Sequence, residues 1–159
     1  MRRITHPVFL TVFFVIISCC VFAQERIKIG EIVDNEPVIT MDSATLVSAF
    51  ESAFNDGTTI STVKIERSGD YFYVEGFGNN AGEARAMAEE LNNDGGELYL
   101  LPTSESHSCS GVNCESSGFR KSPSGKISGC QCLQPGGAGE SYSNHTISTV
   151  SRLYKPLVY

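Results

Sequence analysis

Hydrophobic positions recur at helical spacing most clearly in one place. Leu46, Val47, Phe50, Ala53 and Phe54 follow at intervals that line one face of an α-helix. Asp42 precedes them as an N-cap able to accept from the free amides of the first turn. Met41 and Leu46 are spaced as a hydrophobic staple, and Asp56-Gly57 supplies a stop. The phenylalanines of this stripe read as core packing. Thr59 to Arg67 is rich in β-branched residues, Ser68-Gly69 is turn-like, and Asp70 to Phe77 alternates. That pattern predicts a hairpin. Glu97 to Leu101 reads as a short strand and Glu31 to Thr40 as an irregular one. Gly82 to Asn92 has the Ala, Glu, Arg, Met and Leu content of a helix, although Ala84, Ala86 and Ala88 also alternate as in a strand. The helix is favoured. The expected class is α+β: an N-terminal helix packed on a small antiparallel sheet, followed by a cysteine-stapled hairpin module.

The chain of 159 residues opens with a different pattern. Met1 to Arg3 is basic, Val8 to Ile17 is a ten-residue stretch that is apolar but for Thr11, and Val21-Phe22-Ala23 is a small-residue cleavage pattern. These features predict an export signal over 1–23 and a mature chain of 136 residues. Ile16-Ile17-Ser18-Cys19 also fits a lipobox, so lipidation at Cys19 with lipid anchoring at the membrane is the alternative. No later segment is apolar enough to span, so no transmembrane segment is expected after cleavage. Either route takes the chain out of the cytosol, to the periplasm or the exterior.

Charge then divides what remains. Gln24 to Glu105 holds 16 acids against five bases, whereas Ser106 to Tyr159 holds two acids against five bases. The mature chain has a single adjacent basic pair, Arg120-Lys121. Nucleic acid is therefore excluded as an expected partner, because phosphate binding needs clustered Lys and Arg. The organisation expected is an acidic scaffold over 24–105, a cysteine module over 106–132, a flexible Gly, Ser and Pro linker over 133–145, and an apolar segment over 146–159. That last segment reads either as a strand or short helix docked on the scaffold or as an exposed attachment segment.

Between Ser106 and His145 the apolar residues other than cysteine are only Val112, Phe119, Ile127, Leu133, Ala138 and Tyr142. Six such residues cannot build a core, so covalent links or a metal must offset the chain entropy. Cys109, Cys114, Cys130 and Cys132 are the candidates. In an exported chain four cysteines suggest two disulfides, for which three pairings exist. Folding the chain back about Ser122-Pro123-Ser124-Gly125 sets Ser117 opposite Cys130 and Glu115 opposite Cys132. It favours bridges Cys114–Cys132 and Cys109–Cys130, unless a bulge changes the register. A zinc site is the alternative, using the four thiolates, or three of them with His107. Common Cys-x2-Cys knuckles are absent, and Ser117 stands where an iron–sulfur spacing needs cysteine. Free reactive thiols are a third possibility. No cofactor other than that alternative zinc is expected.

His107-Ser108-Cys109-Ser110-Gly111-Val112-Asn113-Cys114, with Phe119, a turn and Cys130-Gln131-Cys132, resembles a motif of small exported bacterial proteins of unknown function. The aromatic-rich strand and the Leu-Tyr-Leu strand upstream fit the same resemblance, which spans Tyr71 to Cys132. In that family a cysteine often stands where this chain has Ser117. The departure bears on the partner of Cys130, and the resemblance implies no activity.

Other signatures carry little. Gly76 to Gly82 imitates a dinucleotide-binding turn, yet the strand before it is expected to pair antiparallel, and that site needs parallel strands. Asn144-His145-Thr146 has the form of a glycosylation sequon, but the signal looks bacterial. Beyond Ala23 the only histidines are His107 and His145, and no Gly-x-Ser-x-Gly elbow is present. No catalytic residue is assigned. The function expected is an exported binding or structural protein of the cell envelope or exterior, with an unidentified protein or envelope component as partner. A zinc-binding protein and a small secreted hydrolase are the alternatives.

Overall fold

The computed structural model describes residues 25–135 and 139–159; the export signal and the lipobox Cys19 lie outside the described residues. The molecule is mostly β, and this corrects the α+β expectation. Strands β1 (Ile27–Val33), β2 (Glu36–Ile39), β3 (Thr59–Ser68), β4 (Tyr71–Asn80), β5 (Glu83–Asp94) and β6 (Glu97–Leu100) are followed by β7 (Ser106–Val112), β8 (Cys114–Lys121), β9 (Ile127–Pro135) and β10 (Tyr142–Ser148). Two short helices accompany them, α1 (Ser43–Phe54) and α2 (Tyr154–Val158).

Helix α1 begins where its capping chemistry requires: Asp42 accepts from the amide of Thr45 at 2.8 Å, and Asn55 closes the last turn in the left-handed region. The sheet is larger than expected because Gly82 to Asn92 is strand, not helix. β5 pairs antiparallel with β4 along 83–91, with β7 along 85–89 and with β6 along 92–94. It is the central member of a branched eight-stranded antiparallel sheet that ends in β2, in β10 and, through β4, in β3. The sheet curls until β2 approaches β3, although these two are not hydrogen-bonded neighbours. Helix-favouring composition yields here because both faces and both edges of β5 are used, and packing outweighs intrinsic propensity.

Strand alternation distributes side chains to two cores. Phe72, Val74, Met87 and Leu91 join Leu46 and Phe50 of α1, Ile29, Leu98, Leu100 and Leu153 in the first. Tyr73, Ala86, Ala88 and Cys109 join Phe119, Ile127 and Cys130 of the β8–β9 hairpin in the second. The alternating alanines keep the hairpin face of β5 shallow. The hairpin therefore has no core of its own and lies on the face opposite α1. The two tight turns at its edge touch: a Cβ on Gly69 would meet Ser124 O at 2.5 Å, and one on Gly125 would meet Ser68 O at 2.0 Å. Both glycines also have positive φ, so no other residue fits this contact without strain.

The hairpin register differs from the simple fold-back. Ser117 lies opposite Cys132 and Phe119 opposite Cys130, because Lys121 faces Ile127 across the turn and an irregularity between Arg120 and Lys121 shifts the pairing once more. The stretch expected as a linker is strand at both ends, with Leu133 to Pro135 in β9 and Tyr142 to Asn144 in β10. Leu153, just before α2, is fully buried and docks the C-terminal segment on the first core.

Candidate functional site

Two disulfides are present, Cys109–Cys130 and Cys114–Cys132. They join the pairs favoured by the fold-back, though through the shifted register. The first ties β7 of the main sheet to β9 and lies in the second core, where Cys109 is fully buried. The second ties the start of β8 to β9. With all four sulfurs bridged, none is a thiolate free to bind zinc. His107 is not drawn to the cysteines. Its ring partners are His145 and Glu105. No group of three or more His, Cys, Asp or Glu suited to a metal ion occurs among the described residues.

Glu105, His107 and His145 combine burial, titratable groups and mutual contact, and theirs is the cluster that contains both histidines of the described residues. His107 is on β7 beside Ala88 of β5, with no solvent exposure. His145 is on β10, opposite Cys109, and so reaches the same face. Nδ1 of His107 is 3.1 Å from Nε2 of His145. Oε1 of Glu105 lies 2.8 Å from Nε2 of His107, close enough for its charge to hold a proton there although out of line for a good hydrogen bond. Lys126, from the β8–β9 turn, is 3.4 Å from the other oxygen of Glu105. The Tyr73 ring, nearly perpendicular to that of His107, closes the site from β4.

Burial pushes the proton affinity of both imidazoles below the ordinary value of 6.5. For His107 the positive charge of Lys126 acts in the same direction and Glu105 opposes it; for His145 Arg120 adds to the depression. Two neutral rings joined through one proton are the resulting state near neutrality. Such an arrangement can hold a proton, pass it along β7 and β10, and lock a strand in register. Sequence reasoning singled out both histidines but not Glu105, which is one of 18 acids with no local mark.

Two other buried carboxylates belong to the structure's fastening. Glu75 on β4 is 3.0 Å from Lys121 of β8 and 3.4 Å from Lys64 of β3, while Glu66 also holds Lys121. Burial pushes the Glu75 carboxyl up and the two ammonium groups pull against it. This network ties the basic β8–β9 hairpin to the hairpin of β3 and β4. Glu89 on β5 accepts from the amides of Arg152 and Leu153 at 2.9 and 3.2 Å. Burial raises it to about 7, against the pull of the Ser151 and Ser106 hydroxyls.

A surface groove of about 600 Å³ lies elsewhere, between the end of α1 and α2. It is lined by Ala53, Asn55, Ser151, Arg152 and Lys155 among others. Arg152 is already engaged by Ala53 O at 2.6 Å and Ser108 Oγ at 3.4 Å, so the groove has structural rather than chemical content. None of the described helices is long and apolar enough to cross a membrane. No protein-family model matches the chain, and no curated protein or solved structure matches it either.

Proposed function

We propose that the protein is an exported binding or structural component of the cell envelope or exterior, and that it meets an extended segment of a partner protein along β10. The observation that carries this reading is the contrast between β10 and the other strands that end the sheet, of which β3 carries Lys64, Glu66 and Arg67 and lies near β2. β2 ends it in four residues that include Glu36 and Pro37. A charge and a residue without an amide proton both discourage strand addition. β10 ends it in seven residues with no Asp, Glu, Lys, Arg or Pro. Tyr142 and Ile147 on this strand are 51% and 54% exposed. An uncharged edge of that length offers main-chain pairing for affinity and side chains for specificity.

Export is supported by the bridges, since disulfides persist in oxidising compartments and are rare in the cytosol. Protein recovered from the extracytoplasmic fraction is expected to be four hydrogens lighter than its reduced form and to expose no thiol on denaturation. The docking edge is tested with a photo-crosslinking residue placed at Thr146 in living cells, with Val38 on β2 as control. A discrete adduct from Thr146, absent from Val38 and lost in Ile147→Lys, supports the proposal. Equal yields from both positions, or none from Thr146, overturn it.

A further inference from the structure

We infer that Glu105, His107 and His145 form a pH-sensitive clasp, which fixes β10 to β7 while the two imidazoles share one proton and releases the strand when both facing nitrogens are protonated. Its biological consequence rests on the reading of β10 as a docking edge; the clasp itself stands on geometry alone. The ring planes of His107 and His145 differ by 8° and the centroids are 5.3 Å apart. An imidazole nitrogen lies about 1.1 Å from its ring centre, given aromatic bonds of about 1.35 Å. With the facing nitrogens 3.1 Å apart, the two centroids and two nitrogens lie almost on one line. Both rings therefore share a plane and meet edge to edge, with their lone-pair directions opposed.

That geometry has one good occupancy. A proton lies between the nitrogens, donated by one ring and accepted by the other. Glu105 favours a proton on Nε2 of His107, which makes Nδ1 the acceptor and Nε2–H of His145 the donor. One further proton is accommodated on the outer nitrogen of His145, because the shared hydrogen bond survives. A second has only Nδ1 of His107 left to take, and two N–H groups then face each other on the same line. Repulsion replaces the tie.

The surroundings set the response. Arg120 of β8 and Lys126 of the β8–β9 turn oppose protonation, and Glu105 favours it. The Tyr73 ring of β4 stands nearly perpendicular to that of His107, while Glu90 of β5 lies within the field of Lys126 and Glu105. β10 is a terminal strand, held by β7 along 106–112. An edge strand opens locally at a fraction of the global unfolding free energy, so losing one tie is felt there first.

Hydrogen exchange on the full disulfide-bonded chain tests the clasp. After correction for intrinsic rates, protection of the amides over 143–148 is expected to fall at least about tenfold between about pH 7 and about pH 5, with β4 amides as the unchanged reference. His145→Asn offers Nδ1 of His107 an amide donor and, by turning the amide, an acceptor once that nitrogen is protonated, so its protection is expected to be flat across that range. Equal protection of β10 at both pH values overturns the inference, as does a pH response retained in His145→Asn. Crosslinking from Thr146 at neutral pH separates the two proposals. An adduct with flat exchange removes only the clasp, and pH-dependent exchange without an adduct removes only the docking edge.

Discussion

Glu89 holds its proton to about pH 7 because burial strips the carboxyl of water, against the opposing pull of the Ser151 and Ser106 hydroxyls and the Arg152 and Leu153 amides. In the unfolded chain the same carboxyl has an ordinary value of 4.5. Between those two values the folded state carries a proton that the unfolded state has released, so stability falls as pH rises through that window and is constant above it. A shift of this size corresponds to about 3 kcal/mol. Glu89→Gln is expected to remove this slope, which is read by urea denaturation of both proteins at about pH 5 and pH 8. The imidazoles run the other way. Their folded proton affinities are depressed from 6.5, so their contribution is complete above that value and is lost as pH falls below it. Comparing single variants separates the two. His107 and His145 were legible as the only histidines after the export signal, but nothing in a separation of 38 residues announces that they touch. The register of β10 on β7 does that.

Among the elements, α1 and the β3–β4 hairpin were legible because their signals are local. Asp42 caps the helix, and Ser68 pairs with Tyr71 across a two-residue turn at Gly69-Asp70, one position along from the turn expected. β5 was not legible, since Ala, Glu, Arg and Met favour a helix when neighbours are ignored. The strand signal was the alternation of Ala84, Ala86 and Ala88, weak because alanine has little preference of its own for a pleated surface. Its meaning is spatial: small side chains allow the hairpin to lie against β5. Ala88→Leu is therefore expected to destabilise the fold by about 1–3 kcal/mol through overpacking, as a lower midpoint in chemical denaturation. A β5 region with room for the larger side chain would show no change.

For the whole molecule, the Cys109–Cys130 disulfide and a shared core join the polar segment to the sheet. Phe119 and Ile127 of the hairpin complete a core only with Tyr73, Ala86 and Ala88 of the sheet. Cys109–Cys130 runs through that core, linking positions 21 residues apart. Replacing both cysteines by serine is expected to lower stability by about 3 kcal/mol and to reduce exchange protection in β8 and β9. Protection around Leu46 and Phe50, in the other core, is expected to persist. Unchanged denaturation with unchanged hairpin protection would show that contacts alone hold the segment down.

Spacing and composition by themselves determined what depends on near neighbours: the capped helix, the first hairpin, and the presence of disulfides in a stretch with six apolar residues besides cysteine. Two pairs of cysteines could also be chosen by folding the chain about one turn. Only tertiary structure decided the fold class, because β5 becomes a strand through partners far along the chain. It alone assembled Glu105, His107 and His145, and it alone left β10 as an uncharged edge. Local preferences are small and readily overridden, whereas the pairing of distant strands is set by which faces and edges the rest of the molecule leaves to be covered.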